Sequence, residues 1–206
     1  MWWTETSRWY LLLVLSREQY VGLCACVLWS IGRPESQYLD PFLKLDEFSV
    51  DKNGGFPYHP HHGFEAVTYM LEGQFQYEDF AGHKGTIEPR IYNGWTVGQG
   101  IIPTEILVRS QTHAHELQPY INLSKRHKMC KPQYQKLFDP HFPRDRPKDE
   151  VIVKVIVGEL HSLRSQIYTR TIILHLDLRC PITRLSTRLS RKQTTDLFTS
   201  STAPHT

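Results

Sequence analysis

Cysteine is scarce in this chain, with four in 206 residues. Cys24, Cys26, Cys130 and Cys180 make no CxxC pair and no regular framework, so a disulfide scaffold is excluded and a reduced intracellular chain is the simplest reading. Excess charge of one sign is lacking too. The 24 Lys+Arg exceed the 21 Asp+Glu by only three, too few to argue for nucleic-acid binding. Long apolar runs are also missing. "WYLLLVL" and "YVGLCACVLW" are divided by Arg17 and Glu18, and neither approaches the roughly 20 residues of a membrane span. Glu5 and the absence of a basic cluster ahead of them argue for a strand pair over a secretory signal. There is no glycine-rich phosphate loop of recognised spacing, no serine-nucleophile elbow and no basic-aromatic pattern for nucleic-acid readout.

Histidine, by contrast, is plentiful, at 11 residues, and several are clustered. "FPYHPHHGFEAVTYMLEG" places His59 and His61 two apart. In an extended segment both project from one face, where two imidazoles can chelate a first-row metal, while His62 points the other way. Glu65 shares their parity if the strand stays regular, which makes it a substitute carboxylate ligand. A second HxH, in "THAHE", reads as a solvated loop.

The rest of the pattern is β. Ala66–Leu71 and Gln74–Phe80 form a predicted hairpin around Glu72-Gly73, and a second turn follows at Gly82–Gly85. "GWTVGQGIIPTEILV" and "YINL" continue the strands, although Pro119 interrupts the latter. His127–Glu150, with four prolines and many charges, reads as a linker or extended crossover. "VIVKVIVGE" and a segment over Ile167–Leu178 are further strands. After Cys180 the Ser/Thr/Arg-rich chain has no periodicity and reads as a disordered tail.

"IGRPESQYLDPFLKLDEF", "HPHHGFE", "NLSKRHKMCKPQYQ" and "VKVIVGE…YTRT" together resemble the pirin family, from about Ile31 to Leu178. The resemblance implies a two-cupin architecture. It also implies a non-haem iron held by the two histidines of the HPH element, with a third histidine and a glutamate on a later strand. Pirins are mainly nuclear transcriptional cofactors. Some oxidise flavonols such as quercetin, and plant members are linked to heterotrimeric G-protein signalling. Carried onto this chain, His59 and His61 match the first two ligands. In "GIIPTE", Glu105 matches the carboxylate, and Pro103 stands where the third histidine should be. Proline offers a metal no donor, and it removes a ladder N–H. "PRI" replaces the family's Pro-Gly-Asp turn, so Arg90 stands where a positive φ suits glycine.

The expected fold is therefore all-β: one fairly complete N-terminal cupin at 31–138 and a partial second cupin at 139–180. A poorly matching segment (1–30) lies before them, and a tail (181–206) after. The expected metal residues are His59, His61 and Glu105, with Glu65 as substitute and Pro103 as a degenerate position. They hold iron weakly or not at all, and no residue is assigned as catalytic. The expected role is a monomeric nuclear protein, also present in the cytoplasm. It would bind transcription regulators or G-protein components, and neither nucleic acid nor membrane. The alternative is an iron-dependent dioxygenase acting on flavonols.

Overall fold

The computed structural model describes residues 17–21, 23–31, 39–80, 82–108, 113–148, 151–179 and 196–200. Their regular structure is strand, with two short 3-10 turns and no α-helix among them. The first ten strands are β1 (Arg17–Val21), β2 (Leu23–Ile31), β3 (Phe42–Phe56), β4 (Phe64–Glu72), β5 (Phe75–Asp79), β6 (Lys84–Ile87), β7 (Tyr92–Thr96), β8 (Pro103–Leu107), β9 (His113–Asn122) and β10 (Gln133–Leu137). They form one sheet, along which eight run in the order β10-β7-β4-β9-β3-β8-β5-β6, while the β1–β2 hairpin pairs with β3.

This sheet curls onto itself. Four strands separate β7 from β5, yet the rings of Trp95 and Tyr77 lie 5.5 Å apart. Side chains bridge the far ends. Lys136 on β10 donates to the carbonyl of Thr86 on β6 over 2.9 Å, and the Tyr134 hydroxyl donates to Asp79 on β5. These contacts cover strand edges that would otherwise expose unpaired backbone groups. The result is the jelly-roll-like curl of a cupin.

The second sheet contains β11 (Arg144–Lys148), β12 (Val151–Val157), β15 (Leu174–Arg179) and β16 (Asp196–Ser200), and a small hairpin joins β13 (Glu159–Leu160) to β14 (Leu163–Arg164). It packs on the outside of the first sheet. Val67, Tyr69 and Ile121 share a core with Ile156, Val157, Ile167 and Ile173. This explains why β4 is buried nearly throughout. Ala66, Thr68 and Met70 face inward, while Glu65, Val67 and Tyr69 face the second sheet.

Several expectations require correction. "THAHE" is not a solvated loop, because His113–Asn122 is a strand between β3 and β4. His115 donates from Nε2 to Glu47 at 2.8 Å, and His113 lies 3.6 Å from Asp51, so each imidazole of this HxH has its own carboxylate neighbour. Pro119 does not interrupt β9, and stays in register with Leu45. The 127–150 segment contributes β10 and β11, which complete the two sheets. Of the predicted Ile167–Leu178 strand only the part from Leu174 onward is extended, within β15; Arg170 and Thr171 are held instead by Glu65. In the tail, Asp196–Ser200 pairs in parallel with β15. Residues 181–195 and 201–206 lie outside the described residues.

Candidate metal centre inside the curled sheet

The HPH element continues β3 beyond Phe56 and runs along the start of β8. His61 and Ile101 exchange two backbone hydrogen bonds of 2.9 Å. Two residues away, the His59 N–H donates to the Pro103 carbonyl over 3.2 Å. The reciprocal bond is missing because proline has no N–H. Pro103 is tolerated because it is the first residue of β8. The strand is not lost, and Glu105 remains in register with Phe56 on one side and Tyr77 on the other. Opposed residues share a face, so His59, His61, Pro103 and Glu105 all project to the inside. Gly55 makes this approach possible, since a Cβ there would lie 2.5 Å from the Glu105 carbonyl oxygen.

The imidazole rings of His59 and His61 are 4.6 Å apart and edge-to-face. His59 donates from Nδ1 to the Pro57 carbonyl over 2.7 Å. A carbonyl can only accept, so the lone pair of the neutral ring sits on Nε2. Burial lowers its pKa, against the Pro57 bond. Burial, then the neighbouring His59 and Lys44, push His61 down to about 3. Its Nδ1 is buried without a partner, and Phe64 and Tyr120 flank the ring. Both imidazoles are thus neutral, as a metal ligand must be.

Glu105 is drawn elsewhere. It is 3% exposed, accepts a hydrogen bond from Gln118, and its pKa is pushed up to about 7 by burial. Gln118 also donates to Thr68 over 3.0 Å and accepts from Tyr120. Beside Glu105 lies Glu116, fully buried, with neither carboxylate oxygen hydrogen-bonded. Burial, then Glu105 and Asp46, drive its pKa well upward. Asp46 is raised by burial to about 6 despite Lys44 at 2.6 Å. The inner face is therefore polar, with an imidazole end and a carboxylate end. Among the described residues, no three His, Cys, Asp or Glu side chains are grouped closely enough to hold a metal. A metal thus fits the two imidazoles, and the carboxylate is not gathered with them.

Glu65 does not face this site. Gly63, at φ 74, breaks the strand between His61 and β4, which undoes the parity argument. Glu65 accepts from Thr96 at 2.8 Å and from the backbone N–H groups of Arg170 and Thr171 at 3.0–3.3 Å. It anchors the second sheet. Glu116, Gln118 and Asp46 were missed from the sequence. Their signal was the alternation of positions 114, 116, 118 and 120, masked because the inward side chains are polar.

These carboxylates make stability depend on pH. Asp46, Glu105 and Glu116 keep protons in the folded chain that the unfolded chain gives up. Their contribution is full below the unfolded carboxylate range and is lost as pH rises through about 6, about 7 and higher. His61, and His175 lowered by burial to about 4, act in the opposite sense and lose stability as pH falls below 6.5. The two sets offset each other in mild acid, and only the carboxylates remain above neutrality. Stability should therefore decline from neutral pH to about pH 8. Glu116→Gln should raise stability at that pH by about 1–3 kcal/mol and flatten the decline, as read from thermal melts across pH.

A curled jelly-roll sheet with paired histidines on its inner face defines a protein of the cupin class. The Pirin family model matches residues 27–121, so this stretch is similar to a Pirin domain. A pirin-like protein of Solanum lycopersicum is 50% identical over 164 residues, covering 80% of this chain and 56% of that protein. Pirin of Mus musculus is 49% identical over 169 residues, covering 82% and 58%. The chain thus spans a little over half the length of these curated relatives. A crystal structure of quercetin 2,3-dioxygenase from Acinetobacter baumannii aligns with TM-score 0.70 at 24% identity, covering 78% of this chain and 60% of that one, a likeness of fold.

Proposed function

We propose that this pirin-type chain acts by binding other proteins, as a nuclear transcriptional cofactor or signalling partner. In this reading the cupin site binds iron weakly and is not used for turnover. One observation carries it: Pro103 faces His59 with no donor, while Glu105 accepts a hydrogen bond from Gln118 and is not grouped with the imidazoles. His59 and His61 would hold the metal, and bound iron would supply Lewis-acid and redox character. A dioxygenase needs a firmly held metal with open positions, whereas a protein-binding scaffold tolerates a poor one.

The competing reading, an iron-dependent flavonol dioxygenase, predicts loss of the quercetin absorbance in air when the purified chain is supplied with Fe(II). We expect a rate no higher than that of His59→Ala under the same conditions. Turnover that depends on His59 would replace the scaffold reading with the enzymatic one. Cell fractionation tests the location, with the nuclear fraction expected to hold the chain.

A further inference from the structure

We propose that the cleft between the curled sheet and the second sheet binds a phosphate-type dianion. The cleft encloses about 130 Å³. Its floor is one face of the second sheet, where Arg144, Lys154 and Asp177 stand abreast across β11, β12 and β15, with Arg179 opposite Ile152 one step along. Its other wall comes from the β6–β7 turn, which supplies Arg90, and from the 3-10 turn carrying Asp139. Four basic side chains against two carboxylates leave two positive charges in the lining.

Part of that charge is already matched. Lys154 is 4% exposed, bonds to Asp139 at 2.7 Å and lies 3.6 Å from Asp177. Arg144 is held by Asp139 at 2.5 Å and by the Phe142 carbonyl. The arginines at the mouth are less committed. Arg179 is half exposed and 4.0 Å from Asp177. Arg90 is exposed and enters no ion pair among the described residues, acting on Asp139 only through space.

Arg90 also holds a strained backbone. Its φ is 63°, in the left-handed region that favours glycine, pinned by bonds from its own N–H to the Met70 carbonyl and from Ile91 to Glu88. Such outliers persist where the surroundings over-determine them and often mark function. Here the strained residue brings a guanidinium to the mouth of a cleft that already carries surplus positive charge. Guanidinium forks match phosphate oxygens in pairs, and a dianion balances the two uncompensated charges. Inorganic phosphate and the phosphate of a small monoester share this chemistry.

The test is calorimetric titration of the full chain with inorganic phosphate at constant ionic strength, with chloride as control and glycerol phosphate as a second arm. Saturable binding of one phosphate per chain is expected. Tighter binding of glycerol phosphate would assign the site to a monoester, and binding of inorganic phosphate alone to the free ion. Arg90→Gly should weaken binding at least tenfold while leaving the melting temperature without phosphate equal or higher, because glycine relieves the turn. Arg179→Gln, at the opposite lip, should weaken binding independently. No saturable binding beyond the chloride control, or unchanged affinity in both variants, would overturn the proposal.

Discussion

Lys154→Ala should destabilise the fold by about 3–5 kcal/mol, the cost of leaving buried charges unpaired. The Lys154 ammonium reaches Asp139 and the Tyr69 hydroxyl at 2.7 and 2.9 Å, and Tyr69 in turn donates to Asp177 at 3.0 Å. Asp177 is 5% exposed, so water cannot replace the lost cation. Because Tyr69 belongs to β4 and Asp177 to β15, this network also joins the two sheets. Replacing the pair together, as Lys154→Met with Asp177→Leu, should cost much less than the single alanine change, since no lone charge is then stranded. Denaturant unfolding of the three chains measures the difference. A loss below about 1 kcal/mol for Lys154→Ala would mean the bridge behaves like an exposed ion pair.

Pro103→His should tighten iron binding by at least about 10–100-fold, the range that disturbing even an outer partner of a metal ligand commonly spans. Register makes the prediction specific. Position 103 faces His59 across the ladder, so a new imidazole there would project beside the existing pair. The substitution also restores an N–H opposite the His59 carbonyl, a bond worth about 0.5–1.5 kcal/mol. Protein stability should therefore rise or hold while metal affinity rises. Iron titration under reducing conditions reads one effect and thermal melting the other. If Pro103→His gains stability but no affinity, the ladder argument stands and the ligand argument fails.

Much of the fold was legible because hairpin chemistry is local. Gly73 at positive φ between β4 and β5 is the turn its sequence predicts. The shared face of the HPH pair was also readable, because alternation holds within one extended stretch. Arg90 showed the positive φ that its place in the turn demanded. What stayed hidden depended on long-range packing. Glu65 kept its apparent parity until Gly63 broke the strand, and two of its partners, Arg170 and Thr171, lie more than a hundred residues away. Glu116 looked like part of a solvated loop because a buried, unpaired carboxylate is costly and therefore seldom anticipated. β11 escaped detection because Arg144–Lys148 is a charge-rich edge strand containing Pro147, and β10 because Gln133–Leu137 is a mostly polar edge strand. The reach of the donors was the last hidden element: the family resemblance assigned Glu105 to the site, and Gln118, far away in sequence, donates to its carboxylate.

The account rests on the cupin site being an imidazole pair without an assembled carboxylate. Iron per chain, measured on protein purified under reducing conditions and compared with His59→Ala, addresses this directly. Well under one equivalent is predicted for the unmodified chain, falling to background in His59→Ala. A full equivalent that survives dialysis, and that Glu105→Gln removes, would show Glu105 to be a working ligand and contradict the account.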